Sequence, residues 1–121
     1  MKAIFDTSFI VYILEKPTDV LNQIVDQLGM PEIVVPKSVI RELRGISMSK
    51  KFVRNYTALR MHVVEDLDDG ADDDILRLCK RTGYPVFTMD GELMKRLSDL
   101  ALPCYTVSDE RLTSCGSRRK Q

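Results

Sequence analysis

The sequence predicts an α/β domain, a mostly parallel sheet of about five strands with helices on both faces. Three observations predict it. Short β-branched runs alternate with longer stretches of helical apolar spacing, and parallel strands need the crossover connections that such alternation supplies. The chain has 121 residues, enough for one real core and too few for two ordinary domains. Hydrophobic residues make up 44% and charged residues 30%, which is globular composition.

Lys2 to Phe5 reads as a short buried strand that stops at Asp6-Thr7-Ser8, after which Phe9, Ile10, Ile13 and Leu14 fit a short helix ended by Pro17. Thr18 can cap the next helix, whose Leu21, Ile24, Val25 and Leu28 recur at i, i+3, i+4, i+7 before Gly29 closes it. Glu32 to Val35 is the second strand. Pro36 then fits the first turn of a helix that turns Val39, Ile40 and Leu43 inward and carries Glu42. Beyond a polar stretch, Phe52, Val53, Tyr56 and Leu59 suggest another helix, and Met61 to Val64 the third strand. Asp72 to Arg81 reads as a helix with acids in its first turn, Lys80 and Arg81 in its last, and Ile75, Leu78 and Cys79 inward. Val86 to Thr88 is the fourth strand, Met89 to Leu100 a helix with Leu93, Met94 and Leu97 inward, and Cys104 to Val107 the fifth strand. The expectation is one domain over residues 1–112 and a flexible basic tail over 113–121.

Lysine plus arginine equal aspartate plus glutamate at 18 each, so no global positive field draws the chain to nucleic acid or anionic lipid. The charge is nonetheless segregated: Glu65, Asp66, Asp68, Asp69, Asp72, Asp73 and Asp74 crowd one stretch, while Lys80, Arg81, Lys95 and Arg96 lie beyond it. Cys79, Cys104 and Cys115 are odd in number and lack zinc-site spacing, so reduced thiols are expected. Asp6 arrives before a signal peptide could form, and Phe9 to Leu14 is too short an apolar run to span a bilayer. A cytoplasmic protein with no membrane partner is the expectation.

The acids carry the chemistry. Asp6 closes the first strand, Glu42 follows the second by about two helical turns, Asp73 follows the third, and Asp90 closes the fourth. Singly, each has a bland explanation: Asp6 and Asp90 as N-caps, Asp72 to Asp74 as complements of a helix dipole, Glu42 as a solvated charge. Jointly they fall on the rim where open parallel sheets bind ligands. Two unpaired carboxylates about 4 Å apart repel by roughly 4 kcal/mol at an effective dielectric near 20, and a hard divalent cation offsets this. Carboxylates without histidine favour Mg²⁺ or Mn²⁺ over zinc, and such ions lower the pKa of a water that can attack a phosphodiester. Thr7, Ser8 and Thr88 could orient such a water or a phosphate oxygen, though Ser or Thr beside an N-cap is commonplace.

Ile4-Phe5-Asp6-Thr7-Ser8 resembles the first motif of PIN domains, Pro36 to Leu43 with Arg41 and Glu42 the second, Ala71-Asp72-Asp73-Asp74-Ile75-Leu76 the third, and Thr88-Met89-Asp90-Gly91-Glu92-Leu93 the fourth. The likeness spans residues 1 to about 108. It implies an α/β/α three-layer sandwich and an Mg²⁺- or Mn²⁺-dependent site made by Asp6, Glu42, Asp73 and Asp90. It also implies hydrolysis of single-stranded RNA by an endoribonuclease. In the third motif the resemblance selects Asp73, with Asp72 and Asp74 as substitutes, and Met89 stands where the family commonly has Asn. The family contains antitoxin-paired toxins and enzymes of ribosomal RNA maturation, so an antitoxin or a ribosome-assembly partner is open to this chain, as is a homodimer through Phe52, Val53, Tyr56 and Leu59. A noncatalytic PIN-like RNA-binding or assembly module is the runner-up, because fold does not guarantee activity.

Overall fold

The computed structural model describes residues 1–15, 19–46 and 59–115. Its strands are β1 (Lys2–Phe5), β2 (Glu32–Pro36), β3 (Met61–Val64), β4 (Val86–Phe87), β5 (Cys104–Ser108) and β6 (Arg111–Ser114). Among the described residues the helices are α1 (Thr7–Glu15), α2 (Val20–Leu28), α3 (Lys37–Arg44), α4 (Ala71–Thr82) and α5 (Gly91–Asp99). Pro17, Thr18, the segment holding Phe52, Val53 and Tyr56, and the tail from Gly116 lie outside the described residues.

One sheet runs in the order β3-β2-β1-β4-β5-β6. The first five strands are parallel, in the register Ile4↔Val34 between β1 and β2 and Phe5↔Phe87 between β1 and β4. The chain builds leftward from β1 to β3, then returns to lay β4 on the other side of β1. With right-handed crossovers, that reversal sends helices to opposite faces and opens a crevice beyond the carboxyl ends of β1 and β4. Asp6 and Thr88 stand at that crevice.

Why the two strands meet so firmly there is visible in three aromatic rings. Phe5, Phe9 and Phe87 are fully buried, with ring centroids 4.8, 5.2 and 5.5 Å apart. They join the end of β1, the start of α1 and the end of β4 directly beneath the site. Removing one such ring costs about 3 to 5 kcal/mol. The acid-rich helix α4 is fixed at its other end by Gly83, whose φ of +76° lets its N–H reach the Cys79 carbonyl at 2.7 Å.

The structure departs from expectation in three places. A sixth strand pairs antiparallel with β5, so order continues through residues that read as tail. Its turn is Asp109-Glu110 with φ of 51° and 63°, the left-handed pair that a two-residue hairpin requires. Cys104 and Cys115 form a disulfide with Cα atoms 5.2 Å apart, against the expected reduced thiols, because that hairpin brings the two cysteines side by side. Cys79 remains a buried free thiol. On α2 the buried residues are Val20 and Ile24, whereas Leu21 and Val25 are exposed. The helix is rotated so that Gln23 reaches β6, donating to the Glu110 carbonyl at 2.9 Å and accepting from the Leu112 N–H at 2.8 Å. An edge strand is thereby capped.

Candidate functional site

Strand β1 passes straight into α1, and Asp6 is the hinge residue between them. It is 4% exposed, and its carboxylate accepts the Phe9 N–H at 2.8 Å, the Ser8 hydroxyl at 2.8 and 3.0 Å, and the Thr88 hydroxyl. Burial pushes its pKa from 3.8 up to about 6 against the pull of those three donors, and the negative charge of Asp90 adds to the rise. Thr88 and Ser8 bind the two motif loops together, since Thr88 accepts the Asp90 N–H and Ser8 the Met89 N–H, each at 3.0 Å. Thr7 donates to Glu42 at 2.5 Å and so couples α1 to α3.

Asp90 caps α5, accepting the Glu92 and Leu93 N–H groups at 2.9 and 3.4 Å through Oδ1 alone. The capping reading is therefore correct for Oδ1 of Asp90. Met89, at the position where the motif it resembles commonly has Asn, accepts a weak contact from the Thr106 hydroxyl at 3.8 Å.

The acidic stretch sorts itself by partner. Glu65 pairs with Lys37, Asp66 with Arg81, Asp68 with Arg41, Asp69 and Asp74 with Arg77, and Asp73 with Arg96. Asp74 is fully buried and also accepts the Ser38 hydroxyl at 2.6 Å and the Asp69 and Gly70 N–H groups at 2.9 and 3.2 Å. It fastens the loop to α3. Asp73 is exposed, and the hydrogen bond from Arg96 at 2.9 Å holds its carboxyl below the usual range. Asp72 alone of this stretch has no ion pair among the described residues. Partial burial raises its pKa, and the charges of Asp90, Glu42 and Asp73 raise it further against Arg96.

Asp6, Glu42, Asp72, Asp73 and Asp90 line one cavity of about 590 Å³ together with Thr7, Ser8 and Arg96. The sequence-derived acids thus share a single concavity, and among the described residues Arg96, visible in the sequence only as half of a basic pair, is its one cationic wall. Among the described residues no three His, Cys, Asp or Glu side chains lie close enough together to hold a metal directly. The carboxylates surround a space rather than collapsing on one point. An all-oxygen donor set in which neighbouring carboxylates raise the proton affinity of Asp6 and Asp72 nonetheless suits a hard, partly hydrated divalent cation, which would relieve that repulsion. Among the described residues no helix is long and apolar enough to cross a membrane.

Comparison with solved structures finds the PIN domain endonuclease Utp24, 21% identical, with a TM-score of 0.75, covering 93% of this chain and 90% of that one. No curated protein matches the sequence. A family model described as a PIN-like domain matches residues 3–109. Strand order, rim position of the acids and the family match coincide, and the chain belongs to the PIN-like domain family.

Proposed function

We propose that this chain is a metal-dependent endoribonuclease that hydrolyses phosphodiester bonds of single-stranded RNA, with Asp6, Glu42, Asp72 and Asp90 as the acids that hold Mg²⁺ or Mn²⁺. The observation that carries the reading is that, among the described residues, Asp72 alone of the acids of residues 65–74 makes no ion pair. Arginines or a lysine engage the other acids of residues 65–74, while Asp72 feels Asp90 and Glu42 across the cavity. Asp73, favoured by the motif register, is assigned instead to holding Arg96. A bound divalent ion supplies an activated water and neutralises charge on the phosphate oxygens.

The chain's own residues do the rest. Thr88 and Ser8 fix the Asp6 carboxylate through its local hydrogen bonds, and Thr7 fixes Glu42. Because Asp90 spends one oxygen as an N-cap, the helix holds the second in a constant direction. Arg96 offers a guanidinium to a backbone phosphate entering an otherwise acidic cavity. Action inside the cell, in the cytoplasm, accompanies an RNA substrate. The test is cleavage of a circular single-stranded RNA, which has no end for an exonuclease. Linear products with Mn²⁺ or Mg²⁺ and none with EDTA are expected; full cleavage in EDTA, or none under any condition, overturns the reading.

A further inference from the structure

A second groove, of about 480 Å³, lies between α5 and the β5–β6 hairpin. Strand β5 runs parallel to β4 and continues past it, since Phe87, the last residue of β4, pairs with Tyr105 while β5 extends to Ser108. Thr106 on β5 contacts the Met89 sulfur at 3.8 Å, one residue before Asp90. The two concavities are thus neighbours across the start of α5.

The hairpin register explains the groove's chemistry. Residues directly opposite in an antiparallel pair share a face. Thr106 stands opposite Thr113 and Ser108 opposite Arg111, whereas Val107 stands opposite Leu112 on the reverse face. The reverse face is the one against α2, where Leu112 is buried and Gln23 holds the strand. The face toward α5 carries the hydroxyls of Thr106, Ser108 and Thr113 and the Arg111 guanidinium, with Met94 as an apolar wall, and the Asp109 carboxylate at the turn and Ser114 also line the groove. Arg111 makes no ion pair among the described residues, in contrast to Arg41, Arg77, Arg81 and Arg96. A guanidinium beside hydroxyls matches a phosphodiester and its ribose 2′-OH, and a thioether wall accepts the face of a sugar or base. The volume is within the roughly 300 to 1,000 Å³ of sites that enclose a small ligand.

We infer that this groove is a second RNA subsite, which holds the backbone of a nucleotide flanking the cleaved bond through Arg111, Thr106, Ser108 and Thr113. The inference rests on the RNA-cleaving reading above, and the experiment separates the two. Steady-state cleavage is measured for single-stranded RNAs of increasing length, with wild type, Arg111→Ala, Arg111→Lys and the double variant Thr106→Val/Thr113→Val. Circular dichroism checks that each variant is folded. The wild type gains from added length through a lower KM. In Arg111→Ala the KM for long RNA rises about tenfold with kcat unchanged, short RNA is cleaved as before, and the salt dependence of binding falls by about one charge. Arg111→Lys recovers part of the loss, and the double variant loses length dependence without change in the salt slope. If wild type cleaves but every variant matches it at all lengths, the subsite alone is overturned; equal losses on short and long RNA overturn it as well. If wild type cleaves no RNA with either metal, both readings fall.

Discussion

Arg96 on α5 donates a 2.9 Å hydrogen bond to Asp73 on α4, and the proposed site therefore takes Asp72 in place of Asp73, the residue that the motif resemblance favours. Its neighbour Asp72 is left to face Glu42 and Asp90. The expected outcome is that Asp72→Asn loses at least a hundredfold in kcat, on the order of 3 kcal/mol in barrier, while Asp73→Asn stays within about threefold of wild type. Parallel single-turnover assays decide it, and an inactive Asp73→Asn beside an active Asp72→Asn would restore the motif register. Arg96→Ala, by contrast, should raise KM more than it lowers kcat, because a phosphate contact remote from the reacting bond binds substrate and transition state alike.

Asp6 gives a pH dependence whose sign runs opposite to that of an ordinary salt-bridged carboxylate. Its folded pKa of about 6 lies above its unfolded 3.8, so the folded state holds the proton more tightly. The resulting stabilisation is full below pH 3.8 and is lost as pH rises through about 6, a difference of about 3 kcal/mol. Without divalent metal, Asp6→Asn should therefore melt higher than wild type near neutral pH by several degrees, and the advantage should vanish near pH 4. Thermal melts in EDTA across that range check it. A destabilised Asp6→Asn at neutral pH would mean that the lost hydrogen bonds outweigh the relieved charge.

Asp74 should behave as a fastening residue. Fully buried, it takes bonds from Ser38 and two backbone N–H groups, so Asp74→Ala strands buried donors and should cost about 3 kcal/mol. Cleavage per folded molecule should stay close to wild type. Urea denaturation alongside activity at low temperature separates the two, and a stable but inactive Asp74→Ala would place this acid in the chemistry instead.

Much of this was legible in the sequence because it depends on local pattern. Alternating strand and helix signals yielded five strands in a mostly parallel sheet, though not their order, and acids following β1, β2 and β4 marked the rim. The misses share a physical cause, which is long-range contact. Strand β6 was hidden because its turn, Asp109-Glu110, lacks the glycine or asparagine that usually announces a two-residue hairpin. With the hairpin hidden, the pairing of Cys104 with Cys115 was hidden too. The stripe on α2 shifted by one position because Gln23, polar and unremarked in the sequence, is drawn to the edge of β6. The ion pairs of Asp73 with Arg96 and of Asp74 with Arg77, and the hydrogen bond from Ser38 to Asp74, on which the proposed preference for Asp72 rests, are not encoded in spacing along α4.

That the carboxylates gather around a cation is the claim on which the rest depends, and differential scanning calorimetry with Mn²⁺ tests it without knowledge of the substrate. An ion that binds only the folded state at a hundredfold excess over Kd stabilises it by about 2.7 kcal/mol, which for a domain of this size is a rise of several degrees in Tm. The wild type should show that rise, and the double variant Asp6→Asn/Asp90→Asn should show almost none. Equal melting temperatures with and without saturating Mn²⁺, or an undiminished rise in the double variant, would contradict the account.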